Sequence, residues 1–231
     1  MMNTMKSVEK ISAQKASLNE IRDLVSEEWS LLDQEIEKQL SSDIELINSI
    51  SQYIVESGGK RIRPLIVLLS AKACGASDLD RVVKAAAMIE FIHTATLLHD
   101  DVVDNSDSRR GIKTAHQSYG NESTILVGDF LYSRAFQIMV QINHMAIMEV
   151  MSDATNTIAE GEVLQLINSG NPKTNKEQYL EVIYRKTGKL FEASMVVGGL
   201  LNNQSQTVIN ALQIFGKEMG MAYQIVDDVL D

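Results

Sequence analysis

The chain has 231 residues, 45% of them hydrophobic, and carries 31 Asp and Glu against 21 Lys and Arg, for a formal net charge of −10. This acidic balance argues against broad binding of nucleic acid, and the single cysteine argues against both a disulfide framework and a cysteine metal site. Only two prolines interrupt a composition rich in helix formers, so we predict an all-α fold in a single domain over 1–231. The single cysteine fits a reducing compartment, so we expect the chain to be cytoplasmic.

The N-terminal residues, MMNTMKSVEK, contain no apolar stretch and therefore do not resemble a signal peptide. The longest purely apolar run of the chain is LIVLL at 65–69, far shorter than the roughly 20 residues that cross a bilayer. We therefore predict no transmembrane segment, and at most peripheral membrane contact.

Apolar residues recur at spacings of three and four through 17–57, which predicts two or three helices with a break near Ser41–Asp43. The pair Gly58-Gly59 ends the last of them. We expect this N-terminal helical part, about 1–57, to precede the core of the domain at about 58–231.

Pro64 suits the first turn of the next helix, and Asp78 is a candidate N-cap for a long helix that reaches about Asp104. Residues 105–115 are predicted to form a polar loop. Further helices are predicted over 116–119, 123–141, 145–167, 176–201 and 206–231, which together favour a helical bundle. The helical pattern continues to Asp231 without a stop signal, so we expect the bundle to be C-terminally truncated.

Two acidic clusters of the same spacing, DDVVD at 100–104 and DDVLD at 227–231, each follow an apolar helix. Helical residues four apart lie within about 40° of each other, so the first and last aspartate of each cluster share a face. Such carboxylates repel one another unless a cation is present, and oxygen-only ligands indicate Mg²⁺ before Ca²⁺. The predicted metal ligands are Asp100, Asp101, Asp104, Asp227, Asp228 and Asp231.

A solvated acidic patch is the alternative interpretation of one such cluster, and it is weaker for two. An EF-hand fits less well, because a loop that starts at Asp100 or Asp101 lacks the glycine at its sixth position and the glutamate at its twelfth.

Basic residues cluster at two places, before the helix that contains Pro64 and just after the first acidic cluster. The segment GGKRIRP at 58–64 places three cations before a helix N-terminus, where a diphosphate would be favoured, and Arg109 and Arg110 can contact phosphate oxygens bidentately. The alternative is helix capping and ion pairing with nearby aspartates. His93 lies two turns before Asp100 on nearly the same face, and is either a substrate contact or a satisfied core histidine.

Six motifs occur in the order GGKRIRP, LLHDDVVDNSDSRRG, GDFLYSRAF, EGEVLQL, YRKTGKLFEAS and AYQIVDDVLD. As a set, over about 45–231, they resemble the trans-isoprenyl (polyprenyl) diphosphate synthases, particularly the bacterial octaprenyl diphosphate synthases. The resemblance implies an isoprenoid-synthase-type helical bundle around a central cavity, a homodimer, and Mg²⁺ as cofactor. The implied reaction joins isopentenyl diphosphate to an allylic prenyl diphosphate, such as farnesyl diphosphate. Its product would be a long all-trans polyprenyl diphosphate, near octaprenyl, for quinone side chains.

The resemblance also implies residue roles. Isopentenyl diphosphate would contact Lys60, Arg63, His93 and Arg110. The allylic diphosphate would contact Arg109, Lys186, Thr187 and Gln224. The aspartates of the two clusters, Asp100, Asp101, Asp104, Asp227 and Asp228 among them, would be catalytic through the metal. Product length would depend on the small residues Ala95 and Thr96, and on a tunnel floor at Phe136 and Met139, for which an ordinary core position is the alternative.

Three other interpretations stay open. A terpene cyclase also uses DDxxD clusters, but needs no GGKRIRP segment. An HD-type phosphohydrolase would use His93 and His99-Asp100, but it would need a further histidine upstream. The chain could also be an inactive or partner subunit of a heteromeric prenyl synthase, because family members continue past the second acidic cluster and supply a lysine there.

Overall fold

The computed structural model describes residues 16–109 and 111–230, and it is helical almost throughout them. The N-terminal part forms α1 (Leu18–Asp23), α2 (Ser26–Leu40) and α3 (Glu45–Glu56). The predicted break near Ser41–Asp43 is confirmed, because it falls between the second and third of these helices.

The next two helices agree closely with the sequence signals. In α4 (Ile62–Ala73), Pro64 lies in the first turn, where a missing N–H leaves no internal hydrogen bond unmade. In α5 (Leu79–Val103), the carboxylate of Asp78 accepts a hydrogen bond from the backbone N–H of Arg81 at 3.2 Å. This cap fixes the start of the helix that carries the first acidic cluster at its other end.

The predicted loop after α5 contains a short antiparallel hairpin, β1 (Ser108–Arg109) with β2 (Ile112–Lys113). Gly111 has a φ of +76°, which suits a tight hairpin connection and which L side chains rarely adopt. The hairpin returns the chain towards the end of α5, where it leaves Arg109 beside the acidic cluster.

The remaining elements follow the predicted order with one difference. The helix predicted over 176–201 is interrupted by a π-helical turn at Tyr184–Gly188, which we call the π-turn. Around it, the elements are α6 (Ala115–Tyr119), α7 (Asn121–Ile142), α8 (Met145–Asn168), α9 (Lys176–Ile183), α10 (Lys189–Leu200) and α11 (Gln206–Leu230).

The core is centred on α5, which packs against α2, α4, α7 and α10. By length and composition α5 could cross a membrane, which the short apolar runs did not predict, but 61% of its most apolar window is buried inside the bundle. Fully buried residues of this helix include Ala85, Ala86, Ala87, Ile89 and Ile92. Small and apolar side chains on several faces therefore make α5 a core helix around which the others pack.

A close backbone contact sets the position of α11. A Cβ atom added at Gly220 would lie 2.8 Å from the Cα of Gly188 in the π-turn and 2.8 Å from the Cβ of Phe191. Glycine at this position therefore lets α11 lie directly against the π-turn. The end of α11, with the second acidic cluster, is thereby brought towards the end of α5.

Candidate active site

A cavity of about 1040 Å³ lies between the loop at 57–63, the end of α5, the hairpin, the π-turn and α11. Both acidic clusters contribute to its lining. The predicted site residues found there are Lys60, Arg63, His93, Thr96, Asp100, Asp101, Asp104, Arg109, Lys186, Thr187, Gln224 and Asp227. One cavity therefore contains residues from distant parts of the chain that were predicted to bind phosphate and metal.

The first acidic cluster lies where α5 ends. The N–H of Asp104 donates to the carbonyl oxygen of Asp100 at 2.8 Å and closes the last turn. The side chains of Asp100 and Asp101 are only 14% and 6% exposed, and adjacent helical residues point about 100° apart. Asp100 consequently faces the π-turn, whereas Asp101 accepts a hydrogen bond from Arg109 Nη2 at 2.7 Å on the hairpin side.

Lys186 holds its ammonium group between carboxylates of two helices. Its Nζ lies 3.2 Å from Asp100 Oδ2 and 2.7 Å from Glu162 Oε2, and it donates to Gln165 Oε1 at 2.8 Å. Burial, together with the nearby negative charge of Asp100, raises the pKa of Glu162 to about 7. The π-turn therefore delivers a cation to the point where α5 and α8 bring acidic groups together.

These donors fit a hard cation. The ammonium of Lys186 already occupies the gap between the oxygens of Asp100 and Glu162, so this part of the cavity accommodates positive charge. Within 16–109 and 111–230, no group of three or more His, Cys, Asp or Glu side chains is close enough to hold a metal alone. Mg²⁺ is commonly bound by one or two carboxylates with water and substrate phosphate, so Asp100, Asp104 and Asp227, which line the cavity, would contribute singly or in pairs.

The second acidic cluster is split. Asp227 lines the cavity, but Asp228 faces α9, where its Oδ2 accepts from the hydroxyl of Tyr179 at 2.5 Å. Its Oδ1 accepts from Gln224 Nε2 at 2.7 Å, and the hydrogen bond to Asp228 raises the pKa of Tyr179. The structure thus does not place Asp228 at the cavity, because consecutive residues of α11 point in different directions. Asp231 lies outside the described residues.

The basic segment before α4 is held from two sides. Arg61 has a φ of +45° and pairs with Asp33 of α2, while Arg22 Nη2 donates to the carbonyl oxygen of Lys60 at 2.5 Å. The exposed side chain of Lys60 is left at the cavity wall, at the positive end of the α4 dipole. Arg110, the other predicted cation of this site, lies outside the described residues.

Arg63 is fixed beneath this segment. Its Nη1 lies 3.0 Å from Nε2 of His93, and its guanidinium carbon lies 4.7 Å from the ring centroid of Phe191. Burial lowers the pKa of Arg63 to about 10, so the guanidinium remains charged at neutral pH. Arg63 and His93 therefore form a rigid polar pair in the cavity wall.

Comparison with known proteins agrees with this architecture. Residues 44–231 match the polyprenyl synthetase family. The chain belongs to this family. It is 49% identical over 215 residues to octaprenyl diphosphate synthase of Escherichia coli, covering 93% of this chain and 66% of that protein. It is 44% identical to an all-trans-nonaprenyl-diphosphate synthase of Rhodobacter capsulatus, covering 90% of this chain and 63% of that protein.

Solved structures show the same fold. Polyprenyl synthase of Caulobacter crescentus, complexed with calcium and isoprenyl diphosphate, matches with a TM-score of 0.91 and 40% identity, over 94% of this chain and 66% of that one. Decaprenyl diphosphate synthase of Rhodobacter capsulatus matches with a TM-score of 0.89 and 40% identity, over 93% and 66%. The isoprenoid-synthase-type fold is confirmed, and the chain spans about two thirds of the length of the relatives it matches.

The predicted product-length residues of the chain do not lie together. Thr96 lines the cavity, but Ala95 is fully buried in the core and Met139 is 1% exposed there. Phe136 is 39% exposed and packs on Tyr132, with ring centroids 5.3 Å apart. Ala95, Phe136 and Met139 therefore do not line this cavity, and their effect on product length stays a prediction.

The helical rotation explains this difference on α7. Leu131 of α7 does line the cavity, and Phe136, five residues later, points about 140° away from it. The apolar part of the cavity lining comes instead from residues of several helices: Ile36, Leu40, Ile54, Phe91, Leu98 and Leu131.

Several residues at the site were not predicted to act there. Glu162 and Gln165 contact Lys186, and their position in the quoted motif EGEVLQL was the available signal. Tyr179 contacts Asp228 and Phe191 contacts Arg63, and no local sequence signal predicts these contacts because they join distant helices. His99 faces α7, with Nε2 3.2 Å from the carbonyl oxygen of Ile125, and so points away from the acidic cluster.

Proposed function

We propose that this chain forms the catalytic part of a Mg²⁺-dependent prenyltransferase that joins isopentenyl diphosphate to an allylic prenyl diphosphate. The observation that carries the proposal is the single cavity lined by Asp100, Asp227, Lys60 and Arg63. It provides two acidic walls for a metal-bound diphosphate and a separate basic wall for a second diphosphate. The names of the relatives support the same reaction class.

The allylic diphosphate is assigned to the acidic side of the cavity. Asp100, Asp104 and Asp227 would hold Mg²⁺, which when bound neutralises negative charge on a diphosphate leaving group. Lys186 would donate to the same diphosphate, and Thr187 is oriented towards the site by its hydrogen bond to Gln224 Oε1 at 2.9 Å. A fixed array of charges of this kind stabilises a leaving group without reorganisation.

Isopentenyl diphosphate is assigned to the basic side. Lys60 lies at the N-terminal end of α4, and Arg63 is held by His93 and Phe191, so the anion site is largely preformed. As the allylic C–O bond breaks, the isopentenyl double bond attacks the allylic carbon and forms the new C–C bond. The proton lost from the adduct goes to the departing diphosphate, so no protein base is required.

The apolar part of the lining is assigned to the growing chain. Ile36, Leu40 and Leu131 offer no hydrogen bonds to water, which keeps water from the allylic cation and accommodates a hydrocarbon tail. We propose a long all-trans product near octaprenyl length for quinone side chains, in keeping with the names of two relatives that are 49% and 46% identical to the chain.

We also propose that the chain acts as a cytoplasmic homodimer with at most peripheral membrane contact. One face of α7 leaves large apolar side chains exposed: Ile125, Leu126, Phe136 and Val140. A patch of this kind on a soluble domain favours a protein partner, here a second copy of the chain.

The test is an elongation assay with farnesyl diphosphate and radiolabelled isopentenyl diphosphate, with and without Mg²⁺, followed by chromatography of the products. We expect Mg²⁺-dependent chain extension, abolished by Asp100→Asn and retained by the matched variant Asp80→Asn, whose carboxylate at the start of α5 pairs with Lys84 outside the cavity. A folded chain that extends nothing would favour an inactive or partner subunit, and cyclised products would favour a terpene cyclase.

A further inference from the structure

Side chains of the π-turn point in two directions, some into the cavity and one towards α10. Lys186 and Thr187 line the cavity, whereas Tyr184 reaches away from it towards α10. The backbone N–H of Lys189 donates to the carbonyl oxygen of Tyr184, five residues earlier. Because π-helical turns are rare, surrounding contacts have to favour this turn over a continuous α-helix, and such turns are frequent at functional sites.

A buried carboxylate lies behind the π-turn. Glu192 is 4% exposed, and its Oε2 accepts from the Tyr184 hydroxyl at 2.8 Å. Its Oε1 accepts from Lys189 Nζ and Gln213 Nε2, both at 3.0 Å, and Lys189 also pairs with Asp153 at 2.8 Å. A buried carboxylate is tolerated only when such partners satisfy it, so this group ties the π-turn to α8, α10 and α11.

The Tyr184 side chain bridges the whole π-turn. Its bond to Glu192 joins residues eight apart, beyond the usual spacing of three or four for helical pairs. Lys217 of α11 lies with Nζ 4.8 Å from the centroid of the Tyr184 ring. Burial raises the pKa of the Tyr184 hydroxyl, so it stays a donor at neutral pH.

The opposite side of the π-turn lies directly against α8. A Cβ atom added at Gly161 would lie 2.7 Å from the Cβ of Arg185 and 2.9 Å from the backbone nitrogen of Lys186. The neighbouring residue, Glu162, reaches Lys186 Nζ. The π-turn is therefore held between α8 on one side and the Glu192 carboxylate on the other.

We propose that Tyr184 and Glu192 are positioning residues, which hold the π-turn so that Lys186 and Thr187 are aimed at the diphosphate site. Neither Tyr184 nor Glu192 lines the cavity, so both act through the turn. The inference rests on the proposed function, because it assumes that Lys186 and Thr187 contact a diphosphate.

The test uses the 231-residue chain and measures its affinity for inorganic pyrophosphate by calorimetry in the presence of Mg²⁺. Tyr184→Phe removes one hydroxyl and keeps the ring, and we expect it to weaken binding about three- to tenfold, the effect of one hydrogen bond. The control Tyr132→Phe removes a hydroxyl from α7, and its affinity should equal that of the wild type. Glu192→Gln keeps an acceptor for Tyr184 and should bind more tightly than Glu192→Leu.

A double-variant comparison separates positioning from general destabilisation. If Tyr184 acts through the turn, Tyr184→Phe should change the affinity for pyrophosphate less than twofold in a chain that already carries Lys186→Ala and Thr187→Ala. Such a chain has lost the two side chains that the turn would position. The same loss in both backgrounds overturns the positioning role. Melting temperatures of all variants show that the compared chains are folded.

Two outcomes separate failure of this inference from failure of the proposed function. If Lys186→Ala weakens binding and Tyr184→Phe does not, the positioning role is overturned. If the wild-type chain binds no magnesium pyrophosphate, the proposed function fails. In that case, hydrogen exchange of the backbone amides at 185–189 tests whether Tyr184 and Glu192 hold the π-turn. Faster exchange in Tyr184→Phe than in Tyr132→Phe supports the network as the support of the turn, and equal exchange overturns it.

Discussion

Asp101 is engaged by two guanidinium nitrogens of Arg109, with Nη2 at 2.7 Å and Nε at 3.1 Å from Oδ1. The carboxylate is 6% exposed and the arginine side chain 40% exposed, so the pair joins the buried end of α5 to the exposed hairpin. This geometry makes Asp101 a support for Arg109, and the cavity side of the pair faces the proposed allylic diphosphate.

The pair predicts that Asp101→Asn and Arg109→Ala have the same consequence. Each should weaken binding of magnesium pyrophosphate by about tenfold, because a charge-assisted hydrogen bond positions the guanidinium. The double variant should be no weaker than the more affected single variant, which calorimetry can measure. Asp107→Asn on the same loop is the control, since Asp107 bonds Gln117 away from the cavity. Additive losses would show that Asp101 binds the ligand or metal independently.

The split of the second acidic cluster predicts unequal roles for two adjacent aspartates. Asp227→Asn should raise the Mg²⁺ concentration needed for half-maximal pyrophosphate binding by at least about tenfold, because it removes a proposed ligand from the cavity. Asp228→Asn should raise it less than about threefold, because Asp228 bonds Tyr179 and Gln224 instead. Equal losses in a Mg²⁺ titration would place both carboxylates on the metal.

Much of this arrangement was predictable because the signals are local. The cap at Asp78, the first-turn position of Pro64 and the apolar spacing of the helices follow from short stretches, and the structure confirms the resulting element order. The two acidic clusters were recognised because helix geometry relates residues four apart. Their meeting in one cavity required the family resemblance, since no local signal says which helix ends face each other.

The missed features have a common physical origin. A helical pattern cannot show that Tyr184–Gly188 forms a π-turn, because the extra residue changes the hydrogen bonds and leaves the composition ordinary. An apolar residue on a helix can equally face a core or a cavity, so the sequence does not show that Leu131 lines the cavity while Phe136 and Met139 do not. The hydrogen bonds of the π-turn and the direction in which each face of a helix points are both set by packing against other helices, which only the folded structure defines.

The contact between α11 and the π-turn predicts a destabilising effect of Gly220→Ala. Replacing glycine in a helix normally stabilises it by about 1 kcal/mol, but the added Cβ would lie 2.8 Å from the Cα of Gly188. A backbone atom cannot swing aside as a side-chain tip can, so we expect a net loss of about 1–3 kcal/mol in the free energy of unfolding. Chemical denaturation measures this change, and Ala222→Leu on the exposed side of α11 is the control. A more stable Gly220→Ala variant would show that the two helices can separate without cost.

Substitution by phenylalanine should have different effects at residues 95 and 96 of α5, because Thr96 lines the cavity and Ala95 is fully buried in the core. Thr96→Phe should narrow the apolar space and shorten the longest product in a radiolabelled elongation assay with farnesyl diphosphate. Ala95→Phe should instead overpack the core and cost about 1–3 kcal/mol of the free energy of unfolding, measured by denaturation.

Thr96→Ser is the control for the first variant, because it keeps the hydroxyl that bonds the carbonyl oxygen of His93 at 2.8 Å and adds no bulk. If Ala95→Phe folds with unchanged stability and alone shortens the product, the growing tail runs past Ala95. The wall at Thr96 would then belong to the diphosphate end of the cavity, and the apolar lining at Ile36, Leu40 and Leu131 would lose its proposed role.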